Sequence, residues 1–158
     1  MTRHAAEIAQ INMEIEIAAP PAQVWTALTE NIGEWWPAEF YAGGEAGKRN
    51  FALETVPGGR MVETWEGGGG ILWGTVICVD PAVLLQVLGS LFPNWGGPSQ
   101  SYGTWELQPN ASGTTLKYSE STVGRVVDSH VAEKDKGWQF LFQTLKAHLE
   151  GSPLPTWT

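Results

Sequence analysis

The stretch "DSHVAEKDKGWQFLFQTLKAHLE", residues 128–150, decides how the chain is read. Val131, Trp138, Leu141, Phe142, Leu145 and Leu149 fall at helical spacing, so one face of a single long helix is apolar. Asp128 or Ser129 is placed to cap its start, and Gly151 with Pro153 marks its stop. At about 1.5 Å per residue the helix is roughly 33 Å long, enough to lie across a whole sheet.

The residues before it have to supply that sheet. "INMEIEI", residues 11–17, alternates Ile11, Met13, Ile15 and Ile17 with polar neighbours, the pattern of a half-buried strand. After the helix-starting Pro21, Val24, Trp25 and Leu28 form an apolar helical face. A second short helix over 31–36 ends at Pro37, because the residue before proline is pushed out of the helical region.

From there the chain reads as strands punctuated by turns. "NFALETV" (50–56), "RMVETWE" (60–66), "ILWGTVICV" (71–79), "AVLLQVLGSLF" (82–92), "SYGTWEL" (101–107) and "TTLKYSEST" (114–122) follow one another through short links. That order is an antiparallel meander. The glycine-rich segment 43–47 reads as a flexible loop, Gly67–Gly70 as a hairpin loop, and the sequon-like Asn110-Ala-Ser112 as a turn. The fold class is therefore α+β, with residues 1–10 as an N-terminal tail, 11–151 as one domain and 152–158 as a C-terminal tail.

A chain of 158 residues buries roughly 70% of its unfolded surface and needs no metal or disulfide staple. Seventeen acids against nine bases give a net charge of −8, which argues against nucleic acid or anionic lipid as partners. The lone cysteine, Cys78, excludes an internal disulfide and reads as a small core residue. No apolar leader or 18-residue apolar span appears, so a cytoplasmic location without membrane insertion is expected. Nine tryptophans are the compositional oddity and point to an aromatic-lined interior, cavity or interface.

Taken in order, "PPAQVWTALTE", "GEWWP", a strand ending in Val79-Asp80-Pro81 and "GWQFLFQTLKAHLEG" resemble the START-like (SRPBCC) superfamily. Within it the chain is most similar to homologues of the activator of the heat-shock-protein-ninety ATPase, over residues 11–151. The resemblance implies a helix-grip fold. A curved seven-stranded antiparallel sheet would hold the long C-terminal helix, with two short helices after the first strand and an apolar cavity between sheet and helix. It does not fix an activity, since the fold hosts ligand carriers, cyclases, hydrolases and co-chaperone modules.

On that fold, Trp25 and one of Trp35 and Trp36 would pack under the sheet while the other faces the cavity. Trp65, Trp73 (in alternation with Ile71, Thr75 and Ile77), Trp105 and Trp138 are candidates for the cavity wall. Ordinary core packing is the plainer alternative for each of them singly. Strict alternation places Glu120 with Leu116 and Tyr118 on the apolar side, and Glu63 with Met61 and Trp65, whereas Glu106 opposes Trp105. A carboxylate among aromatic rings can serve as acid or base. The alternative is that β-bulges turn these acids to solvent or that Arg49, Arg60 or Lys117 pairs with them.

His130 lies in the first turn of the long helix near the expected pocket mouth, His148 near its end, and His4 in the tail. No metal set, nucleotide loop or nucleophile motif appears, and no cofactor is called for. Three functions follow, in order. The first is binding of a small hydrophobic, aromatic or lipid-like ligand by Trp35 or Trp36, Trp65, Trp73, Tyr118, Glu120 and Trp138, without turnover. The second is an enzyme of the polyketide cyclase, dehydratase or hydrolase kind, with Glu63 or Glu120 as base and Tyr118 as donor. The third is a co-chaperone module, ranked last because the separate chaperone-binding domain of the eukaryotic activators has no room here. Monomer and homodimer both remain open, the outer side of "AVLLQVLGSLF" being unusually apolar.

Overall fold

The structure is a computed structural model that describes residue 3 and residues 5–42 and 49–157. The segment 43–47 and His4 lie outside the described residues. The chain runs β1 (Glu7–Ile17), α1 (Pro21–Thr29), α2 (Ile32–Trp35), β2 (Arg49–Leu53), β3 (Arg60–Trp65) and β4 (Gly69–Asp80). It continues through β5 (Leu84–Leu91), β6 (Ser99–Pro109), β7 (Thr114–Gly124) and α3 (Asp128–Glu150). The seven strands form one antiparallel sheet in the order β1-β7-β6-β5-β4-β3-β2. The expected helix-grip architecture is borne out.

Several boundaries differ from the pattern in the sequence, each for a local reason. β1 begins at Glu7, inside the expected tail, because Glu7 pairs with Gly124 and Gln10 with Ser121 through the backbone. Strand pairing needs main-chain groups and not apolar side chains, so hydropathy alone misses it. At the other end, Trp157 folds back onto Phe40 and Phe140, with ring centroids 5.1 Å from each. The helix α3 is capped by Val127 with no side-chain hydrogen bond, so neither Asp128 nor Ser129 fills the expected role. Asp128 instead sits in the first turn, where a carboxylate favours the helix dipole. Gly151 ends the helix in the left-handed conformation at φ 67°, as its position after the last apolar residue predicts.

The sheet departs from simple alternation in β4. Its register shifts against β3 at Trp73 and against β5 at Ile77. Each extra residue is a bulge that bends the strand and exchanges its two faces. Ile77, expected beside Trp73, is 55% exposed, while Val76 is fully buried. Cys78 is half-buried next to the second bulge, opposite Gln86, and not part of the core.

Between the sheet and α3 lies the core, with Leu141, Phe142 and Leu145 of the helix against Ile11, Leu107, Leu116 and Tyr118 of the strands. Burying each such side chain contributes about 1.5–3 kcal/mol before ordering costs. From α1 and α2, Val24, Trp25, Leu28, Ile32 and Trp35 close one end. Among the described residues no helix is long and apolar enough to cross a membrane.

Candidate functional site

Between the sheet and α3 an aromatic cavity of about 320 Å³ remains. Its floor is a cross-strand pair, Trp105 on β6 opposite Tyr118 on β7, with ring centroids 4.8 Å apart. Gly103 sits beside them, and a Cβ there would stand 3.1 Å from the Trp105 ring and 3.4 Å from Tyr118 Oη. The missing side chain is what leaves the floor open.

From the helix, Trp138 closes over this pair, 4.5 Å from Tyr118 and 5.7 Å from Trp105. Trp36 stands 6.4 Å from Trp138 and stacks on Phe51 at 4.8 Å, extending the wall toward β2. The adjacent tryptophans separate because α2 ends between them. Trp36 is already extended at ψ 122° ahead of Pro37. Trp35 is 2% exposed, and its indole N–H donates to the Ala27 carbonyl at 2.8 Å, so it belongs to the core. The Trp36 N–H is buried with no acceptor among the described residues.

Trp36, Trp73, Tyr118, Glu120 and Trp138 thus come together on the cavity wall, with Phe40, Phe51 and Trp105. Trp65 does not. It ends β3 opposite Gly69, and its ring lies across that glycine so closely that a Cβ there would overlap Nε1.

At one end of the cavity is a polar cluster. β7 keeps its register with both neighbours, so Leu116, Tyr118 and Glu120 stay on one face and Glu120 is 5% exposed. The bulge that would have turned it outward is absent from β7, because the irregularities are confined to the β4 ladders. Its carboxylate accepts hydrogen bonds from the Tyr118 hydroxyl, from Thr122 Oγ1 at 3.0 Å and from the Lys134 ammonium. Lys134 also donates to Thr122 Oγ1 at 3.3 Å. A buried carboxylate persists only where donors replace water, and three are present here. Burial first, and then the neighbouring Glu120 charge, pushes the Tyr118 phenol well above its ordinary value.

None of the expected cations pairs with Glu120. Arg60 is bonded to Glu54 at 2.6 Å, and the Arg49 guanidinium donates to the Ala38 carbonyl at 3.3 Å. The partner is Lys134 of α3, missed by strand-based reasoning. It lies three residues after Val131 and four before Trp138, so it sits on the apolar face of the helix. A lysine in that stripe was the legible signal.

Glu63 is also inward and fully buried, contrary to the solvent-facing alternative. It is not on the cavity wall. Its Oε2 accepts from the Ala42 N–H at 3.0 Å and from the Trp73 indole at 3.3 Å. Burial and then the Glu63 charge raise the Tyr41 phenol, with Arg49 opposing. Glu106 is exposed, as its opposition to Trp105 predicts. Asn110 Oδ1 accepts from the Ser112 and Gly113 N–H groups, which makes the sequon-like stretch a turn. No group of three or more metal-ligating side chains occurs among the described residues.

The model of the family described as "Activator of Hsp90 ATPase homolog 1-like protein" matches residues 18–150. The chain belongs to this family. Among solved structures it is similar to protein MLL2253 from Mesorhizobium loti, with 25% identity and a TM-score of 0.65 over 92% of this chain and 100% of that one. A protein from Rhizobium leguminosarum matches at 20% identity and TM-score 0.71, over 96% of this chain and 100% of that one. DynU16, from the dynemicin biosynthetic locus, matches at 23% identity and TM-score 0.68 over 93% of this chain, which spans 49% of DynU16. The latter two share the fold with this member of the family. Comparison with curated proteins gives no match.

Proposed function

We propose that the protein binds a small aromatic, apolar molecule in the cavity between the sheet and α3. The observation that carries this reading is the ring lining of Trp36, Phe51, Trp73, Trp105, Tyr118 and Trp138 around open volume. Pockets of this kind bind by burying apolar ligand surface, with a few placed polar groups fixing orientation. Here the polar groups are Tyr118, Glu120 and Lys134 at one end. Each square ångström buried contributes about 25 cal/mol before the ordering costs of association.

Catalysis is the second reading, because Tyr118 and Glu120 converge in the cavity wall as an acid–base reaction needs. It ranks lower on physical grounds. The Glu120 carboxylate already accepts from three donors, and the Tyr118 hydroxyl is directed at it and not into the open volume. No arrangement of residues in the cavity favours the co-chaperone reading. The test is a titration with flavonoids, aromatic polyketides and lipids, following tryptophan emission and melting temperature. Aromatic compounds are expected to quench emission and raise the melting temperature; a panel that moves neither removes the carrier function.

A further inference from the structure

We infer that the ligand carries an anionic oxygen, a carboxylate or phenolate, held at the end of the cavity by Lys134 with Arg125 and His130. This rests on the carrier reading above and specifies its ligand class. A second cavity of about 410 Å³ abuts the aromatic one, and the two share Leu91, Glu120, Glu133 and Lys134 in their walls. The Glu120–Lys134 pair is therefore a partition between a ring-lined inner space and an outer space of different chemistry.

The outer space is lined by Arg125 and His130 as well as Ser99 and Thr122. Neither Arg125 nor His130 takes an ion-pair partner among the described residues. Lys134 has three N–H groups and directs one to Glu120 and one to Thr122, which leaves a donor at the boundary. Glu120 is already occupied by three donors, so it has little capacity left for a cationic ligand. Glu133, the other acid in the shared wall, is exposed, as Arg125 and His130 are, so water screens all three alike and the half-buried Lys134 is the least screened cation.

The chain as a whole repels anions, with a net charge of −8. Two of its nine lysines and arginines nevertheless meet at this one opening. Arg125, His130 and the spare Lys134 N–H line it, with Glu133 the one carboxylate beside the already bonded Glu120, and the neighbouring inner wall is aromatic. The complementary molecule has a flat apolar body and an acidic oxygen at one end.

Two dyes of one ring system test this, anilinonaphthalene sulfonate and the neutral phenylnaphthylamine. The sulfonate is expected to bind about tenfold more tightly, the worth of one charge-assisted contact. Arg125→Gln, at an exposed position, is expected to narrow that preference severalfold. Equal affinities, tighter binding of the neutral dye, or a preference untouched by Arg125→Gln would overturn the anionic subsite and leave the carrier reading standing. Binding of neither dye would overturn both.

Discussion

Lys134 on α3 neutralises Glu120 on β7 across the gap between helix and sheet. The pair is uneven, for the lysine side chain is 30% exposed and the glutamate 5%. One end of the bond reaches water while the other is sealed beside Tyr118. The contact joins the last strand to the helix that follows it, at the boundary of two cavities. It thus orders the grip of sheet on helix and sets the polarity of the site.

Removing the lysine alone should therefore cost more than removing both partners. Lys134→Met leaves Glu120 buried with its charge unmatched, and a loss of about 2–4 kcal/mol is expected. Adding Glu120→Gln should recover most of it, since the amide needs no counter-charge. Urea denaturation of the two variants measures the difference. A double variant no more stable than the single one would show that the pair does not carry the energy assigned to it.

The raised Tyr118 phenol makes a prediction about alkaline pH. The folded protein holds this proton more tightly than the unfolded chain, whose tyrosines titrate at about 10. The contribution is whole below that value and declines as pH rises toward the folded one, because only the unfolded state has begun to lose the proton. Unfolding free energy should fall as pH rises above about 10, where unfolded tyrosine begins to ionise, and Tyr118→Phe should flatten the decline. Equal slopes for the two proteins would remove Tyr118 as its cause.

How much of this was legible in the sequence depended on which forces left a mark there. The helical spacing from Val131 to Leu149 and the strand alternation of Leu116, Tyr118 and Glu120 placed α3 and the inward acid correctly. Both patterns record burial residue by residue. The bulges of β4 leave no such record, so Ile77 and Val76 exchanged faces unannounced. Trp65 was misplaced for a different reason. Its inward parity is right for β3, but the strand ends there and the adjacent hairpin glycine accepts the ring. Trp157 gave no periodic signal at all, because a single ring docking onto Phe40 and Phe140 needs no repeating pattern.

Glu63 is expected to act as a structural anchor for the wall and not as a base. It fixes the Trp73 indole and the Ala42 N–H from a fully buried position behind the cavity lining. Glu63→Leu leaves both donors without this acceptor and should destabilise the fold by about 2–4 kcal/mol. Glu63→Gln keeps an acceptor oxygen and should cost about half as much. Thermal and urea unfolding of both variants separate these outcomes. A Glu63→Leu protein as stable as the parent would refute the anchoring role.

The sharpest expectation concerns Gly103. Its backbone has no left-handed conformation to protect, so a side chain is refused there only by what it would meet. Those neighbours are the Trp105 ring and Tyr118 Oη on the cavity floor. In Gly103→Val the added methyl groups enter the space assigned to the ligand, while the β-branched residue suits a strand. Crowding against Trp105 should cost about 1–2 kcal/mol, leaving a folded protein. Ligand affinity should fall at least tenfold, roughly what a steric loss above 1.4 kcal/mol produces. Isothermal titration of the variant with any aromatic ligand found for the parent makes the comparison directly, with circular dichroism confirming the fold. Full affinity in a folded Gly103→Val protein would place the ligand somewhere other than between Trp105, Tyr118 and Trp138.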